Sequence, residues 1–312
     1  MLAPVIIFAY NRPVHLQNCL NSLFSNSEAK HSEFFVKIDG PKNEYDKKMQ
    51  SKIINLLEEA EISYDIKYEL NSINLGLANS IISGLTQIFE KFDSAIILED
   101  DLEVSKFFLK FCNEGLNKYK LNPTVASIQG FSYKLKNPLQ SPYFLRGADC
   151  WGWATWRDRW LLFDSDSEKL LNEIKLQKLN KLFDMNGAFP YSRMLERQAR
   201  GEINSWAIRW HASMFLKNMI SLYPNQTLVK NKGFDGSGTH MGKSQGFESN
   251  FPHEAIDISD IEICESKNAF HEVKNFLRTY YSTYSKFSLI GIKRRILSKL
   301  DRVISQAFNL NQ

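Results

Sequence analysis

Across roughly the first 130 residues, short apolar runs alternate with longer amphipathic ones, and no other feature constrains the fold as much. Strand-like runs fall at residues 5–9, 34–38, 64–70, 94–98 and 125–129. Helix-like stretches at 14–24, 46–59, 77–92 and 107–119 lie between them. A β-α-β-α-β-α-β order predicts an α/β fold: a Rossmann-type, mostly parallel sheet flanked by helices.

Open α/β sheets bind ligands at the carboxyl ends of their strands. Here those ends read Asn11-Arg12, Asp39-Gly40, Asn71 to Gly76, and Glu99-Asp100-Asp101, which together describe one polar rim. The last belongs to "SAIILEDDLEVS", where an apolar strand opens directly onto three acids. Carboxylates are hard oxygen donors suited to Mg²⁺ or Mn²⁺, ions commonly held by one or two carboxylates together with a substrate's phosphates. A solvated turn is the alternative, and the position after "AIIL" favours the ion. Strand alternation would put Glu99 and Asp101 on one face and Asp100 on the other, unless the strand has already ended.

The 312 residues are 43% hydrophobic and 24% charged, as expected of a globular protein. No run approaches the roughly 18 apolar residues of a membrane span. The start, "LAPVIIFAYNRP", shows no signal-peptide pattern, and four cysteines without C-x-x-C spacing fit a reduced, cytoplasmic setting. Net charge is +4, but residues 286–308 alone carry six cations against one acid, so the body shows no nucleic-acid surface. That basic amphipathic tail suits either an anionic membrane surface or packing with a solvated face.

Texture changes near residue 140, which predicts a first half (1–135), a second half (136–265) containing a glycine-rich loop at 231–246, and a helical tail (266–312). All six tryptophans lie from Trp151 to Trp210, in "CWGWATWRDRW" and "SWAIRW". They suit an aromatic core or the stacking of sugar rings, and the tryptophans alone do not choose.

"VIIFAYNRP", "VKIDGP", "NLGLANSI" and "IILEDDLEVS" together resemble the donor-binding half of GT-A-fold glycosyltransferases, closest to bacterial relatives of N-acetylglucosaminyltransferase I in which E-D-D replaces D-x-D. Downstream, "CWGWATW", "SWAIRW" and "NKGFDGSGTH" resemble bacterial surface-polysaccharide transferases of the same group. The resemblance implies a nucleotide-diphospho-sugar donor, with UDP favoured. It places Asn11, Arg12, Asp39, Asn74, Gly76 and Asp100 around the donor, with Asp39 accepting from the base. Asp101 would hold Mn²⁺ or Mg²⁺, with His240 a candidate second ligand. Trp151, Trp153 and Trp206 would face the acceptor, a glycan expected to be lipid-linked, as in O-antigen or lipopolysaccharide synthesis. The enzyme would work peripherally on the inner face of the cell membrane.

Inversion would need a carboxylate base, and Asn204 and Ser205 stand just before Trp206 where an acid is expected. Glu202 and Asp149 are the nearest candidates, with Glu196 behind them. A sugar nucleotidyltransferase ranks lower because "FAYNRPVHL" lacks a glycine-rich loop. A non-catalytic carbohydrate-binding protein on the same fold is the remaining alternative.

Overall fold

The computed structural model describes residues 2–233 and 250–284. The first half runs β1 (Val5–Ala9), α1 (Pro13–Phe24), β2 (Glu33–Ile38), α2 (Glu44–Glu61), β3 (Asp65–Leu70), α3 (Leu77–Lys91), β4 (Ser94–Glu99), β5 (Leu102–Val104), α4 (Phe108–Tyr119) and β6 (Val125–Gln129). Then follow β7 (Tyr143–Arg146), β8 (Trp153–Trp156), α5 (Arg157–Trp160), α6 (Ser167–Leu176), α7 (Asn180–Phe183), α8 (Tyr191–Ala199), α9 (Trp206–Leu216), β9 (Ile220–Tyr223), β10 (Val229–Asn231) and α10 (Lys267–Tyr284).

Every residue of β1 is buried, as expected of a strand covered on both faces. Parallel pairing joins β1 to β2 and β4, and β2 to β3, so the carboxyl ends of all four strands lie along one edge. Local signals place the helices between them. Pro13 opens α1, where its missing N–H costs nothing, and the Asn43 side chain caps α2 by accepting from the Asp46 N–H at 3.0 Å. Leu16, Leu20, Leu23, Ile53, Leu57 and Phe111 bury α1, α2 and α4 against one face. Ile81, Leu85, Trp206, Trp210 and Met214 bury α3 and α9 against the other.

The expected parallel order is broken at two places, at the edge, where β7 pairs antiparallel with β9, and inside the sheet. The eight-stranded sheet runs β3-β2-β1-β4-β8-β6-β9-β7, so β8, antiparallel to both its neighbours, is wedged between β4 and β6. Strands from the second half therefore complete the sheet begun by the first. The tryptophan-rich stretch around β8 is sheet core: Trp153 stacks on Trp206 with centroids 5.6 Å apart, and Trp160 and Trp210 close the cluster.

Helix α10 packs Ala269, Val273 and Leu277 beside Tyr143, Leu145 and Tyr223. The basic stretch 286–308 lies outside the described residues, as does all of the glycine-rich loop except residues 231–233. No helix among the described residues is long and apolar enough to cross a membrane.

Candidate active site

The rim is cross-linked by its own polar side chains. Past the end of β2, the Asp39 N–H donates to the Ala9 carbonyl at 3.0 Å, extending the β1–β2 ladder by one residue. Its carboxylate then collects the turn before α3, accepting from the N–H groups of Leu75 (2.8 Å) and Gly76 (2.9 Å) and from Gly40 (3.0 Å). The Asn74 amide donates to the Gly40 carbonyl at 2.8 Å. Gly76 has φ +75°, which a glycine adopts without strain. Asp39, implied as a contact for the base, is thus chiefly a clamp; Oδ2, with one protein donor, keeps acceptor capacity for a ligand. Asn74 and Gly76 form the wall beside it.

Gly40 is required by close approach, since a Cβ there would lie 2.2 Å from the Ile73 carbonyl carbon. Gly40→Ala should force the two turns apart and cost about 1–3 kcal/mol. Urea denaturation reads that loss.

At the end of β1, Tyr10 and Asn11 both donate to the buried Asp46, at 2.5 and 2.7 Å, and the Lys42 N–H donates to it at 3.0 Å. Asn11 therefore shapes the turn by fastening it to the first turn of α2. Burial, then the hydrogen bond to Asp46, pushes the Tyr10 phenol up to about 12, so it stays a donor at ordinary pH. Sequence reasoning did not single out Asp46, whose side-chain partners Tyr10 and Asn11 are 36 and 35 residues away.

Arg12 joins the first strand end to the fourth. Its guanidinium contacts Asp100 and lies 3.0 Å from Asp101 Oδ2, with Asp100 almost fully buried and Asp101 13% exposed. β4 ends at Glu99 and the chain turns at Asp100-Asp101, so the strict alternation does not apply and one cation reaches both aspartates. Burial works against the Arg12 charge, but Asp100 and Asp101 outweigh it and hold the guanidinium charged. Burial raises Asp100 to about 6 against the pull of Arg12.

Burial, reinforced by Asp101 and Asp100, raises Glu99 to about 8. A raised acid binds more protons folded than unfolded, so Glu99 costs stability increasingly as pH rises from about 4.5 to about 8. In metal-free protein, Glu99→Gln should therefore gain stability relative to wild type across that window, read from urea melts at successive pH values.

Behind Asp101 the chain continues into β5, which pairs antiparallel with β10, and the Lys232 N–H donates to the Asp101 carbonyl at 2.8 Å. At Gly233 a Cβ would lie 2.3 Å from Asp101 Oδ2, so the backbone presses directly on the carboxylate. Among the described residues no three His, Cys, Asp or Glu side chains are placed to hold an ion. Asp101, a partly exposed hard oxygen donor beside a second carboxylate, is of the donor type that would hold a divalent ion. His240 lies outside the described residues.

The two base candidates differ sharply. Asp149 is half-buried, and its Oδ2 accepts from the phenols of Tyr133 (2.7 Å) and Tyr223 (3.0 Å). Next to it, Cys150 has its thiol pushed well up, by burial and then by the charges of Glu99, Asp149 and Asp101. The charges of Asp149 and of two members of the acidic triplet therefore act on one thiol. Glu202 is exposed and clamped by Arg200 (2.6 Å) and Arg197 (3.2 Å), which lower its pKa. Glu196 pairs with Lys175 at 3.4 Å.

Of the three tryptophans expected at the acceptor, Trp153 is 0% and Trp206 3% exposed, so neither offers a ring face to a sugar. Their role is packing between the sheet and α9. Trp151 is half-buried and meets Phe131 edge-on at 4.9 Å.

No protein-family model matches the chain, and no curated protein matches it. Solved structures do overlap it in part. S. aureus TarS 1–349 matches at 15% identity and TM-score 0.36, covering 50% of this chain and 47% of its own. The mannosyltransferase PcManGT from Pyrobaculum calidifontis, in complex with GDP-Man and Mn²⁺, matches at 13% identity and TM-score 0.33, covering 43% and 36%. GalNAc-T7 with UDP, GalNAc and Mn²⁺ matches at 12% identity and TM-score 0.48, covering 96% of this chain and 55% of its own. This chain therefore spans at most 55% of the length of these three structures.

Proposed function

We propose that this protein is a glycosyltransferase that moves a sugar from a nucleotide-diphospho-sugar, UDP-linked by preference, to a glycan hydroxyl. The observation that carries the reading is the joined rim: Arg12 ties the first strand end to Asp100 and Asp101, while Asp39 ties the second to the turn before α3. A nucleoside lies against Asp39, Asn74 and Gly76, and its diphosphate against Arg12 and Asp101. Asp101 would hold Mn²⁺ or Mg²⁺, which would supply Lewis-acid neutralisation of the charge on the departing diphosphate.

Asp149 takes the proton of the acceptor hydroxyl as that oxygen bonds to the anomeric carbon. The bond from that carbon to the phosphate oxygen breaks, its electron pair leaves with the nucleotide, and attack opposite the leaving group inverts the sugar's configuration. Trp151 contacts the acceptor glycan. A lipid-linked surface polysaccharide as acceptor, and work at the inner face of a membrane through residues 286–308, fit the tail's six cations.

A thermal-shift series tests the donor half. UDP with Mn²⁺ should raise the melting temperature, and UDP-sugars should do likewise, because ligands that bind only the folded state stabilise it. No shift with UDP, GDP or dTDP, with or without Mn²⁺, would remove the reading.

A further inference from the structure

Among the described residues, Asp149 is held from one side only. Both phenols, Tyr133 at 2.7 Å and Tyr223 at 3.0 Å, donate to Oδ2, and no described residue donates to Oδ1. The two rings are themselves fixed. Tyr223, the last residue of β9, stacks on Tyr143 with centroids 5.6 Å apart and planes 3° from parallel. Tyr133 is buttressed edge-on by Phe131 at 5.1 Å and by Phe276 of α10 at 5.7 Å. The backbone before Asp149 is fixed as well, with His211 Nδ1 lying 3.0 Å from the Ala148 carbonyl oxygen.

We infer that Tyr133 and Tyr223 are positioning residues that pin Oδ2 of Asp149 and leave Oδ1 aimed to receive the acceptor's proton. The inference rests on the reading of the protein as a sugar transferase with Asp149 as its base. Two donors on one oxygen fix the carboxylate's position and its rotation about the Cβ–Cγ bond, which a single donor would leave free to swing. Burial, followed by the charge of Asp149, holds both phenols well above their ordinary range, so they remain donors under working conditions. The proton leaves the acceptor oxygen for Oδ1 while the phenols keep theirs. Rings from the loop after β6, from β7, from β9 and from α10 thus converge on one side chain, linking the second half of the chain to the geometry of the reaction.

The test uses the full chain with Mn²⁺ and a panel of UDP-, GDP- and dTDP-sugars, following nucleotide release to water, with nucleotide binding measured separately by calorimetry. Tyr133→Phe and Tyr223→Phe should each lower kcat about tenfold to 10²-fold, while KM and nucleotide affinity stay at wild-type values. In an Asp149→Asn background the same substitutions should cause no further loss, because a residue that acts through Asp149 has nothing left to position. Thermal melts separate lost positioning from lost fold, and the two variants are independent trials. Wild-type kcat in both single variants, or an equal loss with and without Asp149, would overturn the inference while the transferase reading stands. A wild-type protein that neither binds nor releases any of these nucleotides would overturn both.

Discussion

Asp101→Ala is expected to abolish metal-dependent sugar transfer while leaving the protein folded. The loss should be near complete, because no described cluster of three ligating side chains could hold the ion in its place. The fold should survive for reasons visible around the residue. Asp101 anchors its neighbours through its backbone, the Lys232 N–H donating to its carbonyl, and alanine keeps that bond. Arg12 would still face the buried Asp100, so the substitution leaves a one-to-one pair rather than an uncompensated buried charge. It also removes a like charge that helps raise both Glu99 and Asp100. Mn²⁺-dependent turnover of a nucleotide sugar, with a metal-free melt as control, checks both halves. An unfolded variant would show that the Arg12 bridge to Asp101 is structural, and an active one would remove Asp101 from the metal site.

The parallel half was legible because strands buried on both faces leave unbroken apolar runs. β1 and β6 fall on the residues expected, and the rim follows from where such runs stop. β8 escaped for the same physical reason. "WATW" is buried at every position, so it shows no alternation, and its tryptophans suited a sugar platform as well as a core. Nothing in the residue type tells the two apart; only the neighbours do, and Trp206 and Trp210 come from α9, far along the chain, while Trp160 comes from the helix that follows β8. The site was legible to the extent that it sits on strand ends. Its cross-links were not, since Arg12 meets Asp100 across 88 residues and Tyr223 meets Asp149 across 74. Pattern within a segment predicts where a side chain is presented, whereas which partner takes it is decided by the order in which strands enter the sheet.

That distinction matters most for the base, where Asp149→Asn should lower transfer by about 10² to 10⁴-fold and Glu202→Gln should leave it unchanged. Asparagine has nearly the shape of aspartate, and its amide oxygen can still accept from Tyr133 and Tyr223. The variant therefore keeps its packing and loses only the capacity to take a proton. Glu202 starts from the opposite position. Its carboxylate is committed to Arg200 and Arg197 at the exposed end of α8, and both arginines lower its pKa, which makes it a poorer proton acceptor. To act as the base it would have to shed both partners and leave solvent. The closeness of Glu202 to Trp206 in the sequence carries little weight, because Trp206 is buried against Trp153 and marks no acceptor surface. Asp149 is instead held by two phenols rather than by cations, so its carboxylate is not committed to an ion pair as Glu202 is. Transfer rates of the two variants at equal donor saturation decide the matter. A silent Asp149→Asn beside a dead Glu202→Gln would mean that α8 shifts toward the rim when donor binds, and the base would then be Glu202.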